Sequence, residues 1–341
     1  MSLARLRVAR AGPHVTVQDA GRPGFLRFGV PWSGPMDRAA HAAALAALGA
    51  DPQAPALEVS LGGLTLDCLE GALTVALTGG AFRLLIDGVP RGAWTVASLR
   101  AGQRLEVRPG PSGAWATLAF AGRLRARRWL GAAATHGPSG FGGGAVAEGA
   151  ELIVEDAALR EDREGPVAEP PWAAAPLATA RVTLGPQDRH FAADTLAAFL
   201  SEPFAITESR DRMGARLAGP SLTPSARLDI PSEAIARGSV QVSGDGAATV
   251  LLADHQTTGG YPKIATVISA DLDGLAQLRP GERLRFAAVT PEEAVAAARA
   301  RATEAAAHLA AAAARPGGLA ARLLSANLIG GVMNAAEDPA P

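Results

Sequence analysis

The chain has 341 residues, 48% of them apolar, and a formal net charge of −1, so it is long enough for two domains that each bury a core. Its acids and bases are interspersed, which argues against a nucleic-acid or anionic-membrane partner. A single cysteine, Cys68, excludes a disulfide framework and points to a cytoplasmic address.

Taken in chain order, the N-terminus MSLARLRVARAG starts a strand and lacks the apolar core of a signal peptide. Short β-rich runs separated by glycine turns follow, among them LTVALTGG, FRLLIDG, RLEVRPG, WATLAFAG and ELIVED, the rhythm of a β-barrel or sandwich. Cys68 in LTLDCLEG reads as a small strand hydrophobe. One helix interrupts them, from an Asp37 cap to Gly49. Residues 1–155 are expected to form a first β-rich domain. The charged, then proline-rich stretch 156–176 cannot pair as a central strand and reads as a linker. Strand rhythm resumes over 177–289, with a helix in FAADTLAAFLSEP and a hairpin at Asp245-Gly246, where glycine supplies positive φ. Residues 290–341 read as a helical extension, opening on Pro291 with Glu292 and Glu293 in the favoured first turn. The fold class is therefore mainly β, two β-rich halves with few helices, and the alanine-rich extension carries too many charges to span a membrane.

Several chemistries are excluded. The only lysine, Lys263, sits in YPKIA, so there is no phosphate-binding Gly-Lys-Ser/Thr loop and no methionine-flanked lysine to carry biotin covalently. HExxH and paired CxxC motifs are absent, no metal site is expected, and there is no GxSxG elbow.

Four segments concentrate polar groups among glycines. In VQDAGRPGFLRFGVPWSGPMD, Asp19, Arg22 and Ser33 precede a helix N-terminus able to receive an anion; alternatively Asp19 pairs with Arg22 and Asp37 only caps the helix. In SRDRMGARLAGP, Asp211, Arg212 and Arg216 offer planar forks for a carboxylate or phosphate, or pair among themselves. In IPSEAIARGSVQVSGDG, Glu233 precedes a loop and Gln241 begins the hairpin. In DHQTTGGYPKIA, Thr257, Thr258, Gly259 and Gly260 offer hydroxyls and open amides beside Tyr261 and Lys263, a set able to polarise a carbonyl. A Gly-Gly-Tyr-Pro turn would explain the glycines but not the lone lysine and tyrosine.

These segments, in this order, together with LLADHQTTGGYPKIATVISADLDGLAQLRPGERLRF, resemble the C subunit of ATP-dependent 5-oxoprolinase. That family is also described as KipA-like, urea amidolyase-related or biotin-dependent carboxyltransferase, and the resemblance spans about residues 3–290. It implies two cyclophilin-like β-barrel domains. It also implies a subunit, inactive alone, that joins an A subunit and a KipI-like B subunit in higher assemblies to open a small amide, 5-oxoproline, to glutamate with ATP as co-substrate and no covalently bound cofactor. Related sequences form the carboxyltransferase half of urea carboxylase, and others are non-catalytic regulators of a KipI-like kinase inhibitor. Under the first reading Lys263 and Arg216 neutralise carboxylate or phosphoryl charge, Tyr261 and Thr258 donate hydrogen bonds, and Glu233 or Asp19 orients water. The remaining polar residues named above bind substrate. The chain departs from the family at Ala132, Ala133, Ala134 and Ala145, where the family carries hydroxyls or a guanidinium.

Overall fold

Alternation of apolar and polar side chains builds the first half. In strand Leu3–Ala11, Ala4, Leu6 and Val8 are buried while Arg5 and Arg7 face outward and pair with Glu70 and Asp67 across the neighbouring strand. The computed structural model describes residues 2–225 and 230–314, and the tail segment LAARLLSANLIGGVMNAA lies outside them. A seven-stranded sheet runs in the order Arg123–Leu124, Glu151–Glu155, Leu3–Ala11, Leu64–Glu70, Arg104–Arg108, Arg83–Ile86, Val89–Gly92. A six-stranded sheet runs Gly165–Pro166, Thr95–Arg100, Ala72–Thr78, Trp115–Phe120, Ala56–Ser60, Thr16–Gln18. Their apolar faces share one core that includes Leu6, Leu57, Leu66, Val75, Phe82, Leu118 and Cys68, so the first half is held together as two facing sheets. Burial pushes the Cys68 thiol pKa up, in keeping with a packing role.

Seven strands of the second half close into a barrel, ordered Thr179–Leu184, Lys263–Val267, Ser239–Val242, Ala248–Leu251, Gly214–Ala218, Phe204–Arg210, Arg283–Ala288. The last strand returns parallel to the first, Thr179 to Val182 facing Arg285 to Ala288. Val240, Val250, Ala265, Phe204 and Phe286 fill the interior, with Phe199 stacked on Phe286 at 4.6 Å. The hairpin is as read: Asp245 accepts from the Ser243 hydroxyl and the Ala247 amide, and Gly246 takes φ 76°.

Helix α1 (Arg38–Leu48) begins at its Asp37 cap, whose Oδ1 accepts from Ala40 N at 2.8 Å, and ends on left-handed Gly49. Helix α2 (Ala193–Ser201) lies against the barrel's closing strand. A short α3 (Leu272–Gln277) leads to the long α4 (Pro291–Ala313), which opens with a Thr290–Glu293 capping box and packs on α1. The proline-rich stretch lies along these elements: Gly165–Pro166 extends the six-stranded sheet, and the Arg163 guanidinium donates to Ala47 O and Ala313 O, capping α1 and α4 together. No helix among the described residues is long and apolar enough to cross a membrane.

The entry to α1 is also where the halves lock. Asp273, at the start of α3, accepts from the amides of Arg38 and Ala39; Gln277 donates to Asp37 and accepts from Ala114 and Trp115; Arg237 donates to Pro35 O and Met36 O. Burial, reinforced by Asp273, raises the Asp37 pKa to about 7. Burial lowers that of Arg237 to about 10.

Candidate functional site

The residues singled out in the sequence fall into two groups. The first is a buried charge cluster between the halves. Arg212 is 3% exposed; its guanidinium donates to both oxygens of Asp254 at 2.8 and 3.1 Å, to Gly34 O at 2.7 Å, and to Glu58 from the first half. Asp254 also accepts from Gly137 N at 2.9 Å, and Glu58 from Met36 N at 2.6 Å. Gly34 has φ 80°, a backbone conformation that glycine adopts without strain, and it turns its carbonyl to the guanidinium. Burial works against every charge here. Asp254 and Glu58 nonetheless outweigh it for Arg212 and hold its pKa above the ordinary value, Arg212 does the same for Asp254 and holds it below the usual carboxylate range, and burial prevails at Glu58, whose pKa is raised.

Asp19, Arg22 and Ser33 lie beside this cluster and are all buried. The anticipated Asp19–Arg22 pair does not form among the described residues. Asp19 accepts from the amides of Gly21, Ala133 and Ala134, while Arg22 donates to Ala134 O, reaches Trp129 O and lies 4.8 Å from the Trp129 ring centre. Backbone donors occupy both Asp19 oxygens. Ala133 and Ala134 meet Asp19 through their backbone amides, a contact that needs no polar side chain at either position. Mutual pairing within SRDRMGAR does not form either. Asp211 accepts from Met213 N and Gly214 N and so closes a turn, and Arg212 finds its partners on strand Ala56–Ser60, in the turn at Asp254 and in the loop at Gly34.

The second group sits on the outer face of the barrel. Strand register places Arg216 opposite Thr249, Thr249 opposite Gln241, and Gln241 opposite Lys263. Because side chains alternate across a strand and directly paired residues share a face, Arg216, Thr249 and Gln241 form one row across three strands, and a register shift in the fourth brings Lys263 opposite Gln241 at its end; Ala215, Val250 and Val240 point the other way, into the core. Segment 256–262 roofs the row. Thr258–Gly259 pairs there with Glu233–Ala234, and Gln256 donates to Gln241 Oε1 at 3.0 Å. A Cβ at Gly259 would meet Gln241 Nε2 at 2.8 Å and Ile235 Cδ1 at 2.7 Å, so glycine is what lets the roof approach. Thr257 O holds Ile235 N at 3.0 Å and Gly260 O holds Ile230 N at 3.2 Å. Tyr261 is half exposed and lines, with Arg216, Gln241, Gln256 and Asp211, a surface pocket of about 300 Å³.

The polar chemistry of the row is incomplete. Lys263 is 1% exposed and Gln241 6%, yet Lys263 Nζ and Gln241 Nε2 have no hydrogen-bond partner. Burial lowers the Lys263 pKa, opposed by Glu233. Gln187 ties the row to the roof: its Oε1 accepts from Lys263 N at 2.9 Å and its Nε2 donates to the Glu233 carboxylate. Arg216 forms an ion pair with Asp245, and Asp245 is held at about 2 by the Ser243 hydroxyl, the Ala247 amide and Arg216. Buried donors without a protein partner can hold an oxyanion. Among the described residues no cluster of His, Cys, Asp and Glu is arranged to hold a metal ion.

Segment Asp254–Lys263 joins the groups, with its first residue in the cluster and its last in the row. Sequence reading missed Glu58, Asp254, Gln187, Arg237 and Gln277. An acid inside the apolar run ALEVS and the aspartate that opens DHQTTGG were the available signals; the two glutamines and Arg237 carried none, because their partners lie on the other half or on a distant strand.

The carboxyltransferase domain family, subdomains A and B, matches residues 28–288. The chain is 34% identical over 293 residues to the C subunit of 5-oxoprolinase from Escherichia coli, an alignment that covers 85% of this chain and 93% of that one. It is 26% identical over 311 residues to urea amidolyase of Saccharomyces cerevisiae, over 84% of this chain and 17% of that one. Among solved structures, TTHA0988 aligns with TM-score 0.74 and 33% identity over 83% of this chain, which spans 55% of that protein. The Kluyveromyces lactis urea carboxylase aligns with TM-score 0.80 over 92% of this chain and 30% of that one, at 22% identity, a likeness of fold. The chain belongs to the carboxyltransferase domain family.

Proposed function

We propose that the chain is the C subunit of an ATP-dependent 5-oxoprolinase, working with an A subunit and a KipI-like B subunit to open 5-oxo-L-proline to L-glutamate, and that its outer barrel row is part of the active site. The observation that carries this is the pair of buried, unpartnered donors, Lys263 Nζ and Gln241 Nε2, on residues opposite each other in neighbouring strands. Leaving them unpaired costs folding free energy of about 1–3 kcal/mol per group, which a bound oxyanion would offset. A lactam amide is a poor electrophile. Transfer of the ATP γ-phosphoryl group to its carbonyl oxygen releases ADP and activates the carbon; one water adds there, the ring C–N bond breaks to give the free amine and an acyl phosphate, and a second water releases phosphate.

In this scheme Lys263 and Gln241 hold the oxygen on which charge develops, and Arg216 binds the substrate carboxylate after exchanging its Asp245 partner. Tyr261 and Thr258 supply hydroxyl donors from the roof, and Glu233, oriented by Gln187, positions the water. Asp19 is better suited to a positioning role, since three amides occupy its carboxylate. The higher identity to the 5-oxoprolinase subunit, 34% against 26% to the urea amidolyase, supports the subunit reading over the carboxyltransferase half of a larger enzyme.

The test is to mix the purified chain with its A and B subunits and follow ADP release. Release that depends on 5-oxoproline and on all three chains is expected. Turnover by the pure chain, or ADP release indifferent to 5-oxoproline, overturns the proposal.

A further inference from the structure

The last helix and the linker enclose a cavity that the proposed reaction does not use. Helix α4 lies outside residues 28–288, the stretch that matches the carboxyltransferase family. Where it packs on α1 it leaves a pocket of about 210 Å³, whose apolar walls are Ala42 of α1, Ala305 and Leu309 of α4, and Trp172 of the linker. An apolar cavity of about 150 Å³ takes up benzene, so this one has room for such a ring with a small substituent. No residue of the barrel row or of the pocket beside Tyr261 lines it.

The polar groups of the cavity are Arg38, Arg301, His308 and Asp273. Arg301 lies over the Trp172 ring at 4.5 Å, and a cation on an aromatic face keeps its in-plane N–H donors for other partners. On its own helix Arg301 meets Glu304 at 3.4 Å without hydrogen-bond geometry; that carboxylate is 59% exposed, and such a surface pair is worth little. The Arg38 guanidinium forms no ion pair among the described residues and lies 5.5 Å from the Trp32 ring centre. His308 is half-buried, edge-on to Trp94 at 6.3 Å and to Trp172 at 5.9 Å, and its Nε2 has no hydrogen-bond partner. Burial lowers its pKa, so the ring is neutral near pH 7 and Nε2 can carry a donor proton. Asp273 is the one carboxylate in the wall, and its oxygens already accept from the Arg38 and Ala39 amides at 3.3 Å. Two further acids, Asp37 and Glu282, line an adjoining space of about 40 Å³ that shares Ala39, Trp172 and Asp273 as walls, with room for one or two waters.

We propose that this cavity is a binding site for a small carboxylate with an apolar ring, the ring held by the alanine, leucine and tryptophan walls and the carboxylate by Arg38, Arg301 and His308. The walls select the ring, since burying apolar surface against them is favourable and an inorganic anion such as phosphate has none to bury. The donors select the carboxylate, because two guanidinium groups and an imidazole lack full partners, whereas a cationic ligand would find only Asp273, already engaged by two amides. Such a ligand touches four parts of the chain at once: α1 in the first half, Trp172 in the linker, Asp273 of α3 in the second half, and α4. Asp273 is also one of the residues that lock the halves at the entry to α1. Occupancy therefore tightens that junction and takes no part in the barrel chemistry.

The experiment titrates benzoate into the purified full chain by calorimetry and records melting temperatures with and without it, for the wild type, Arg38→Gln, Arg301→Gln, Ala305→Phe, and Arg299→Gln, an exposed α4 position outside the cavity. One benzoate per chain is expected, with a melting temperature that climbs with benzoate concentration. Arg38→Gln and Arg301→Gln should each weaken binding about tenfold, the scale of one hydrogen bond to a charged group. Ala305→Phe fills the cavity and should abolish binding, and Arg299→Gln should stay within about twofold. Benzamide keeps the ring without the charge and acetate the charge without the ring, so each should bind at least about tenfold more weakly than benzoate. Neither heat nor a melting shift with benzoate overturns the site, as does wild-type benzoate affinity in Ala305→Phe and both arginine variants. Benzamide or inorganic phosphate binding as tightly as benzoate overturns the ligand class and the proposal with it. If Ala305→Phe melts early, the arginine variants and the benzamide comparison decide by themselves.

Discussion

The cluster between the halves and the row on the barrel both bury polar side chains and treat them in opposite ways. Around Arg212 the buried charges meet their complement: two carboxylates, a carbonyl and two amides converge with good geometry. In the row the buried donors Gln241 Nε2 and Lys263 Nζ stop short of any partner. A satisfied buried charge is an element of architecture, because moving it exposes two desolvated ions at once. An unsatisfied one is held in place by its neighbours in readiness for something not in the fold.

The largest expected effect tests the architectural side. Arg212→Met leaves Glu58 and Asp254 buried without their counter-ion, and breaking such a pair costs about 3–5 kcal/mol. The melting temperature should fall steeply, and partner binding should fail with it. A variant that melts like the wild type would place the cluster with the functional groups instead. The opposite result is expected for Lys263→Ala. Turnover of the assembled complex should drop by about 10²–10³, the scale for losing one electrostatic donor, with a melting temperature equal to or above that of the wild type because a desolvated ammonium has been removed. Lys263→Arg should rescue poorly, since a planar fork does not replace a point charge in a glycine-bounded site. Equal turnover in Lys263→Ala, with the complex intact, removes the row from the chemistry.

The third prediction concerns pH. Burial lowers the His41 pKa to about 4, with Asp19 opposing, against an unfolded value of about 6.5. Between these values the unfolded chain binds the proton and the folded chain does not, so stability rises with pH from about 4 to 6.5 and is lost on acidification through that window, by about 1.4 kcal/mol per unit. Asp37 runs the other way: its folded pKa of about 7 lies above the unfolded value, so its contribution falls as pH rises towards 7. The two slopes largely offset each other between pH 4 and 6.5, so denaturant titrations of His41→Leu between pH 4 and 7 should expose a falling limb that the wild type masks. A profile identical to the wild type would show that His41 does not govern acid stability. The smallest effect is expected at the rim of the row. Asp245→Asn removes an exposed partner of Arg216, which salt screens in any case, so the melting temperature should stay within replicate error while KM for 5-oxoproline falls, the arginine having been released. A large loss of stability would class the hairpin with the architecture.

How much of this was legible beforehand follows from the range of each interaction. Helix α1 could be read to the residue, from Asp37 to Gly49, because both caps are made by neighbours in sequence. The hairpin at Asp245-Gly246 was local in the same sense, and the segment carrying Lys263 stood out by composition. Closure of the second half by a parallel return strand was not legible, nor was the first half's division into two facing sheets, since each depends on which strands meet across tens of residues. Arg22 and Arg212 show the limit most clearly. The sequence determined that both would be arginines among glycines, in segments able to bind an anion. Only the tertiary structure decided that one would be held by backbone carbonyls beside Trp129 and the other by Glu58 and Asp254, because the fate of a buried charge depends on what the rest of the chain brings within about 4 Å of it.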